Sequence, residues 1–326
     1  MIHFRQNTSR KDKTMDFETS SNTPRVLSEK DQNLINHNSS TKLTDFKRRK
    51  LEVDAARHWD IFYKNNTVNF FKDRRWLDKE FEKLGLFEAQ EQSDRSDSDQ
   101  SSETINSVPK LIEIGCGVGN TVFPLLEVTE KSKLTITATD FSVRACNFVK
   151  ERWNNLEKES ERDRLSHVFV SDLSKDGCFN QAEDILSSSA ESIKQKLDFK
   201  NNFNYATLIF VLSAISPENF KTCFKNLKYI LKESTSTSTK SKVYFRDYAI
   251  NDHAMVRFKK GKCIQDRFYM RQDGTRSYFF TIEEVSQLVK EAGGEVESLE
   301  YINRRTTNLA EKVDVERVFI QGVFVF

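Results

Sequence analysis

Apolar residues along the chain gather in short runs separated by polar stretches of helical length, an alternation that predicts an α/β fold. Leu134-Thr135-Ile136-Thr137-Ala138-Thr139, Val168-Phe169-Val170-Ser171, Tyr205 to Leu212 and Val243-Tyr244-Phe245 read as strands, the third of them buried and parallel. A polar stretch near Gln181 to Lys196 reads as a helix. Pro217 starts another, with Phe220, Phe224, Leu227 and Leu231 as its inward stripe. Thr281 followed by Glu284 forms a capping box for a further helix, and the last two apolar runs, ending at Phe326, suit an antiparallel pair. Together these elements make a mostly parallel, seven-stranded sheet with an antiparallel terminal strand. Core-forming pattern is missing from residues 1–40, expected to be a disordered tail, and from 87–108, an acidic, Ser-rich mobile linker. Residues 41–86 then form an N-terminal helical segment, and 109–326 one domain into which 249–280 is inserted. Ser234 to Ser241 suits a surface loop.

Glu113-Ile114-Gly115-Cys116-Gly117-Val118-Gly119-Asn120 follows an apolar run and leads into a helix start. Its glycines let the backbone turn sharply, clear side chains from a close approach, and aim amides at a ligand. A dinucleotide fingerprint runs G-x-G-x-x-G because a pyrophosphate rests on the helix start. The spacing E-x-G-x-G-x-G, with an acid on the strand, suits S-adenosylmethionine, which has no phosphate. Glu113, Gly115, Gly117 and Gly119 are therefore candidate cofactor residues. Asp140 and Asp172 each stand where an apolar run ends, Asp140 placed to accept both ribose hydroxyls and Asp172 to face the adenine amine.

Formal charge is only +2, yet it is unevenly spread. From Lys42 to Leu86 twelve Lys/Arg face eight Asp/Glu, and from Arg246 to Tyr278 eight face four, so each stretch carries +4. With aromatic residues nearby, this is the footprint of a polyanion partner; the plainer reading is a solvated helix face. The five cysteines lack paired spacing, and with the five histidines isolated from them no zinc pattern arises, so reduced thiols and no metal are expected. No run reaches the roughly eighteen apolar residues that a membrane helix requires, and no apolar leader opens the chain. The expectation is a soluble protein with no membrane partner, cytoplasmic or also nuclear rather than mitochondrial.

Amino-group methyltransferases often hold a delocalised amine with an Asn/Asp-Pro-Pro-aromatic turn after the fourth strand. Here the turn reads Leu212-Ser213-Ala214-Ile215, and no Pro-Cys pair supplies a thiolate. A nucleophile with its own lone pair fits better. The remaining marks are Asp45-Phe46-Lys47-Arg48-Arg49-Lys50, Trp59-Asp60-Ile61-Phe62-Tyr63, Asn69-Phe70-Phe71-Lys72-Asp73-Arg74-Arg75-Trp76, the glycine loop, Phe210-Val211-Leu212-Ser213-Ala214 and Phe245-Arg246-Asp247-Tyr248. On these, the chain from about Leu43 onward resembles the tRNA 3-methylcytidine methyltransferases, which modify position 32 of the anticodon loop. Asp252-His253-Ala254-Met255 and Arg271-Gln272-Asp273-Gly274-Thr275-Arg276-Ser277 look nearer the serine-tRNA branch than the threonine branch.

The resemblance implies a Rossmann-like class I S-adenosylmethionine-dependent fold with cofactor contacts at Trp59, Tyr63, Gly115, Asp140, Asp172, Leu173 and Ile209. Trp59 and Tyr63, four apart, share a helix face and either close over the ligand or dock the helix on the core. It further implies a tRNA substrate and seryl-tRNA synthetase as a helper; by itself the chain is expected to be a monomer. Cytosine N3 carries an in-plane lone pair and needs no deprotonation, so catalysis is mostly placement of a base turned out of its stack. Asp247 is the candidate for stabilising the charge the ring gains or holding its exocyclic amine, with Arg246 on the base carbonyl or a phosphate. The alternative is an Arg246–Asp247 ion pair bracing the insertion. His253 orients Asp247, contacts RNA or is structural. Arg257, Arg271 and Arg276 suit phosphates, and beside Tyr248 the rings of Tyr269 and Tyr278 either stack or pack. Lys47, Arg49, Lys50, Lys72, Arg74 and Arg75 suit backbone contacts, with Phe70 and Phe71 as core anchors. Rival readings are the same chemistry on threonine tRNAs, a methyltransferase for a protein or small molecule, and a cofactor-binding scaffold that activates a partner.

Overall fold

Strands and helices follow the apolar runs in the computed structural model, which describes residues 3–6, 14–68, 70–74, 108–129, 134–180, 182–186, 196–233, 240–308 and 313–326. The N-terminal elements are β1 (His3–Gln6), β2 (Thr14–Ser21), α1 (Glu29–Ser39), α2 (Asp45–Val53) and α3 (Ala55–Asn66). Then come β3 (Lys110–Ile114), α4 (Val122–Val128), β4 (Thr135–Asp140), α5 (Val143–Asn154), α6 (Glu159–Arg162), β5 (Leu165–Val170), β6 (Ala182–Glu183), β7 (Lys196–Leu197), β8 (Tyr205–Ile209) and α7 (Phe220–Ile230). The chain closes with β9 (Lys242–Tyr248), α8 (His253–Val256), β10 (Cys263–Gln265), β11 (Phe268–Met270), β12 (Arg276–Tyr278), α9 (Ile282–Glu291), β13 (Glu295–Asn308) and β14 (Val313–Val325). Two units result, a parallel-sheet unit of Asp60–Thr207 and Tyr229–Ser241, and an antiparallel-sheet unit of Met1–Trp59, Leu208–Lys228 and Lys242–Phe326.

In the parallel-sheet unit β3, β4 and β5 run side by side, with Ile114 opposite Thr139 and Asp140 opposite Val170. That register brings the glycine loop, Asp140 and the turn holding Asp172 to one edge, the carboxyl ends where open α/β sheets bind ligands. Leu111, Ile112, Ile136, Ala138, Val168 and Phe169 are fully buried beneath that edge. The helix expected over Gln181 to Lys196 differs at both described ends, where Ala182 pairs antiparallel with Leu197. Asp184 holds this turn, accepting from the Val168 and Leu186 amides at 3.1 and 3.0 Å. Residues 187–195, most of the linker 87–108 and the loop tip 234–239 lie outside the described residues.

The antiparallel-sheet unit is ordered β1-β2-β13-β14-β9, every pairing antiparallel. The terminal hairpin β13–β14 is as expected, but two further strands lie on its outer side. They belong to the segment 1–40, whose composition predicts disorder. Helix α1 corrects that expectation further. Ser28 caps it by accepting the Asp31 amide at 3.1 Å, Glu29 and Asp31 sit at its positive end, and Ile35 enters a cluster with Met255, Val256, Cys263, Tyr269 and Phe279. Ile35 and Asn38 are its buried residues, so its sequence shows no apolar stripe. In the insertion β10-β11-β12 form a small sheet. Strand β8 stops at Ile209, short of the expected Leu212, because Phe210 turns to φ +58° and donates its amide to the Arg246 carbonyl at 2.7 Å. At α9 Thr281 caps the Glu284 amide at 3.2 Å, yet the Glu284 carboxylate turns to Arg267 and the Tyr278 hydroxyl rather than completing the box. No helix among the described residues is long and apolar enough to cross a membrane.

Since Ile35 is 7% exposed, Ile35→Ala should cost about 2 kcal/mol of stability in chemical denaturation; a change within a few tenths would mean that α1 does not dock.

Candidate active site

Gly117 and Gly119 sit at φ +53° and +86°, in the left-handed region that side chains other than glycine's resist. Space is as demanding as dihedral angle. A Cβ on Gly117 would lie 2.9 Å from the Tyr63 hydroxyl, and one on Gly119 2.3 Å from the Phe123 ring. The loop is thus squeezed between a tyrosine of α3 and a phenyl of α4. Asp140, at the end of β4, accepts the Gly117 amide on Oδ2 at 3.0 Å and the Ser142 amide on Oδ1 at 2.9 Å. Ser142 in turn caps α5 and donates its hydroxyl to Asp60 of α3 at 2.5 Å. One carboxylate therefore organises the loop, the start of α5 and the helix that carries Tyr63.

Burial, with Asp60 nearby, pushes the Asp140 carboxyl up to about 6 against the pull of the Ser142 and Gly117 amides. Each of its oxygens still has acceptor capacity for a ribose hydroxyl. The loop amides and this acid fit S-adenosylmethionine. Burial also raises the Tyr63 hydroxyl well above its ordinary value, so it stays neutral beside the loop. Glu113 is less a ligand group than a brace. It is 1% exposed, takes the Thr207 hydroxyl, and is raised by burial from 4.5 to about 7. Asp172 closes its own turn, accepting the Ser174 amide and hydroxyl on Oδ1 at 3.0 and 2.7 Å, and Leu173 beside it is buried. Gly115 opens the loop at φ +66°. Trp59, half-buried on α3, and Ile209, buried at the end of β8, belong to the antiparallel-sheet unit.

Within that unit Asp247 is wholly buried near the end of β9. It accepts the Ser213 amide at 2.9 Å and the Tyr248 amide at 2.8 Å, and burial lifts it to about 6 despite these bonds and the Arg271 charge. Arg246, on the other face of the strand, donates to Gln321 at 2.6 Å, pairs with Glu18 at 3.5 Å and covers the Phe319 ring. These partners give Arg246 a bracing place in the sheet. One oxygen of Asp247 is oriented by the Ser213 amide. His253 begins α8, where burial and neighbouring arginines lower its pKa. Sequence reasoning passed over its neighbour Asp252, which is fully buried and gathers the Ala254 amide, Arg317 and the Val318 amide at 2.7, 2.9 and 2.7 Å.

The basic residues divide sharply. Lys47, Arg49 and Lys50 of α2, Lys72 and Arg257 are exposed. Arg271 lies half-buried over the Tyr248 ring, 5.3 Å from its centre. Arg276 is instead buried against Glu52 of α2. Tyr269 stacks on Phe258 and bonds Ser39, and Tyr278 gives its hydroxyl to Glu284, so both pack. Arg74 bonds Thr121 at 3.1 Å, while Arg75 lies outside the described residues. Phe71 is partly buried, but Phe70 remains 57% exposed although it touches Phe62.

Between pH 4.5 and about 7 the folded chain keeps a proton on Glu113 that the unfolded chain has released. That contribution to stability is complete below pH 4.5 and is lost as pH rises through about 7. Glu113→Gln, which keeps a bond to Thr207, should therefore gain on wild type by about 2.5 kcal/mol between pH 5 and pH 8 in paired denaturation curves. A pH-independent difference would contradict the assignment.

Among the described residues no group of three His, Cys, Asp or Glu is arranged to hold a metal ion. No family model matches the chain. A SAM-dependent methyltransferase from Methanosarcina mazei superposes with a TM-score of 0.43 at 13% identity, over 66% of this chain and 91% of its own. The tRNA(Thr) (cytosine(32)-N(3))-methyltransferase of Saccharomyces cerevisiae is 34% identical over 281 residues, 86% of this chain and 38% of its own. The tRNA N(3)-methylcytidine methyltransferase trm141 of Schizosaccharomyces pombe is 34% identical over 288 residues, 87% of this chain and 97% of its own. The tRNA N(3)-cytidine methyltransferase METTL6 of Mus musculus is 39% identical over 302 residues, 92% of this chain and 90% of its own. Similarity of this degree along nearly the whole of both chains, around a loop shaped for S-adenosylmethionine, makes this chain a member of the tRNA N(3)-cytidine methyltransferase family.

Proposed function

We propose that this chain methylates N3 of cytidine 32 in the anticodon loop of serine tRNAs. The observation that carries the chemistry is Asp247, a carboxylate buried at the end of β9 and held by the amide of a proline-free turn. S-adenosylmethionine supplies an electrophilic methyl group, to which cytosine N3 offers its in-plane lone pair. The glycine loop, Asp140 and Tyr63 would hold that cofactor. Asp247 serves the base: methylation leaves the ring cationic, and a desolvated carboxylate stabilises that charge as it develops or takes the exocyclic amine. Ser213 and Tyr248 fix its two oxygens before the base arrives, so little reorganisation is needed. Position 32 is supported by the name of the yeast relative, and serine tRNAs by Asp252-His253-Ala254-Met255 and Arg271 to Ser277. The exposed Lys47, Arg49, Lys50, Lys72 and Arg257 would meet phosphates. We place seryl-tRNA synthetase as a helper in this reaction.

Purified protein is to be incubated with labelled cofactor and serine or threonine tRNA transcripts, with and without seryl-tRNA synthetase, and the nucleosides analysed by mass. The reading expects 3-methylcytidine at position 32 of serine transcripts; label confined to threonine transcripts moves the assignment, and no label even with the synthetase favours a scaffold. Asp247→Asn should lower kcat by about a hundredfold while tRNA affinity stays within a few-fold. An equal loss of affinity would remove Asp247 from the chemistry.

A further inference from the structure

Asn120, the last residue of the cofactor loop, holds the short segment 71–74 by three bonds. Its side-chain amide donates to the Phe71 carbonyl at 2.9 Å and to Asp73 Oδ1 at 3.1 Å, and its carbonyl accepts the Arg74 amide at 2.8 Å. From α5, Arg152 grips both Asp73 oxygens, Nη1 to Oδ1 at 3.2 Å and Nη2 to Oδ2 at 3.1 Å, while Nη1 also donates to the Val118 carbonyl of the loop at 3.1 Å. The same guanidinium lies 4.0 Å over the centre of the Phe123 ring, which fills the space against the bare face of Gly119. Gly119, Phe123, Arg152 and Asp73 thus stack in sequence, a loop, a ring, a cation and an anion, all within the parallel-sheet unit.

We propose that Asp73 is a positioning residue, fixing the strap 71–74 to the cofactor loop through Arg152 and Asn120 so that tRNA and S-adenosylmethionine each tighten the other's binding. The inference rests on tRNA being the substrate. An ion pair whose side chains are 28% and 32% exposed contributes little to stability, but a planar two-bond fork fixes direction. What it directs is a strap with Lys72 exposed on one side of Asp73 and Arg74 bonded to Thr121 on the other. RNA phosphates that order the strap also order Val118 and Asn120, and the linkage is reciprocal: cofactor that orders the loop presents the strap. The neighbouring helix α3 carries Tyr63, whose hydroxyl meets Gly117, so the loop is held at a second point from the same stretch of chain.

The test is the dissociation constant of S-adenosylhomocysteine for the full chain, by calorimetry, without and with saturating serine tRNA transcript. In the wild type tRNA should lower it about tenfold. In Asp73→Ala and Arg152→Ala the ratio should fall close to one, the double variant should go no further, and Asp73→Glu should recover part of it. A merely structural Asp73 would weaken binding equally with and without tRNA and leave the ratio at its wild-type value, which would overturn the proposal. So would a wild-type ratio of one, a result that needs no variant to fold. Methylated tRNA with a ratio of one would sink the coupling alone, whereas a transcript neither bound nor methylated would sink the substrate reading beneath it.

Discussion

Asp140 accepts one backbone amide on each oxygen, Gly117 from the loop and Ser142 from the start of α5, and through Ser142 it reaches Asp60 on α3. Most of the parallel-sheet unit's functional edge depends on that carboxylate being buried yet charged. Protonation would weaken its hold on both amides, and removal of the side chain would leave the loop without its anchor. Burial opposes the charge, the amides support it, and the balance near 6 leaves Asp140 ionised at neutral pH. The rest of the edge follows from this point. Gly117 is turned so that its bare face meets Tyr63, and Gly119 so that its own meets Phe123.

Asp247 repeats the device in the antiparallel-sheet unit. It too is buried, raised to about 6, and held by two amides, one from a turn and one from its own chain neighbour. In both places the sheet supplies a rigid strand end, and backbone amides hold the carboxylate oxygens in place. Cytidine N3 demands no proton abstraction, so acids prepared in this way suit a reaction whose difficulty is alignment and developing charge rather than base strength.

What the sequence discloses is what periodicity and local spacing encode. The parallel strands, the glycine loop and Asp140 at a strand end were legible because each lies within a run of a few residues. Helix α7 was legible through its stripe of Phe220, Phe224, Leu227 and Leu231, all buried. Partnerships across long separations were not. Arg152 and Asp73 are 79 positions apart, and Arg276 gave no sign that Glu52, 224 positions away, would claim its charge. Helix α1 escaped notice because caps and the docking of Ile35 hold it instead of an apolar stripe. Asp252 was overlooked for His253, since a histidine draws attention by chemistry while a buried aspartate is known only from what folds around it.

Calorimetric titration of S-adenosylhomocysteine into Asp140→Ala, beside wild type and a thermal melt of both, tests the account most directly. Loss of two charge-assisted acceptors at the ribose should raise the dissociation constant by about a hundredfold in a variant that still melts cooperatively. An affinity equal to that of the wild type would show that the cofactor does not lodge at this strand end.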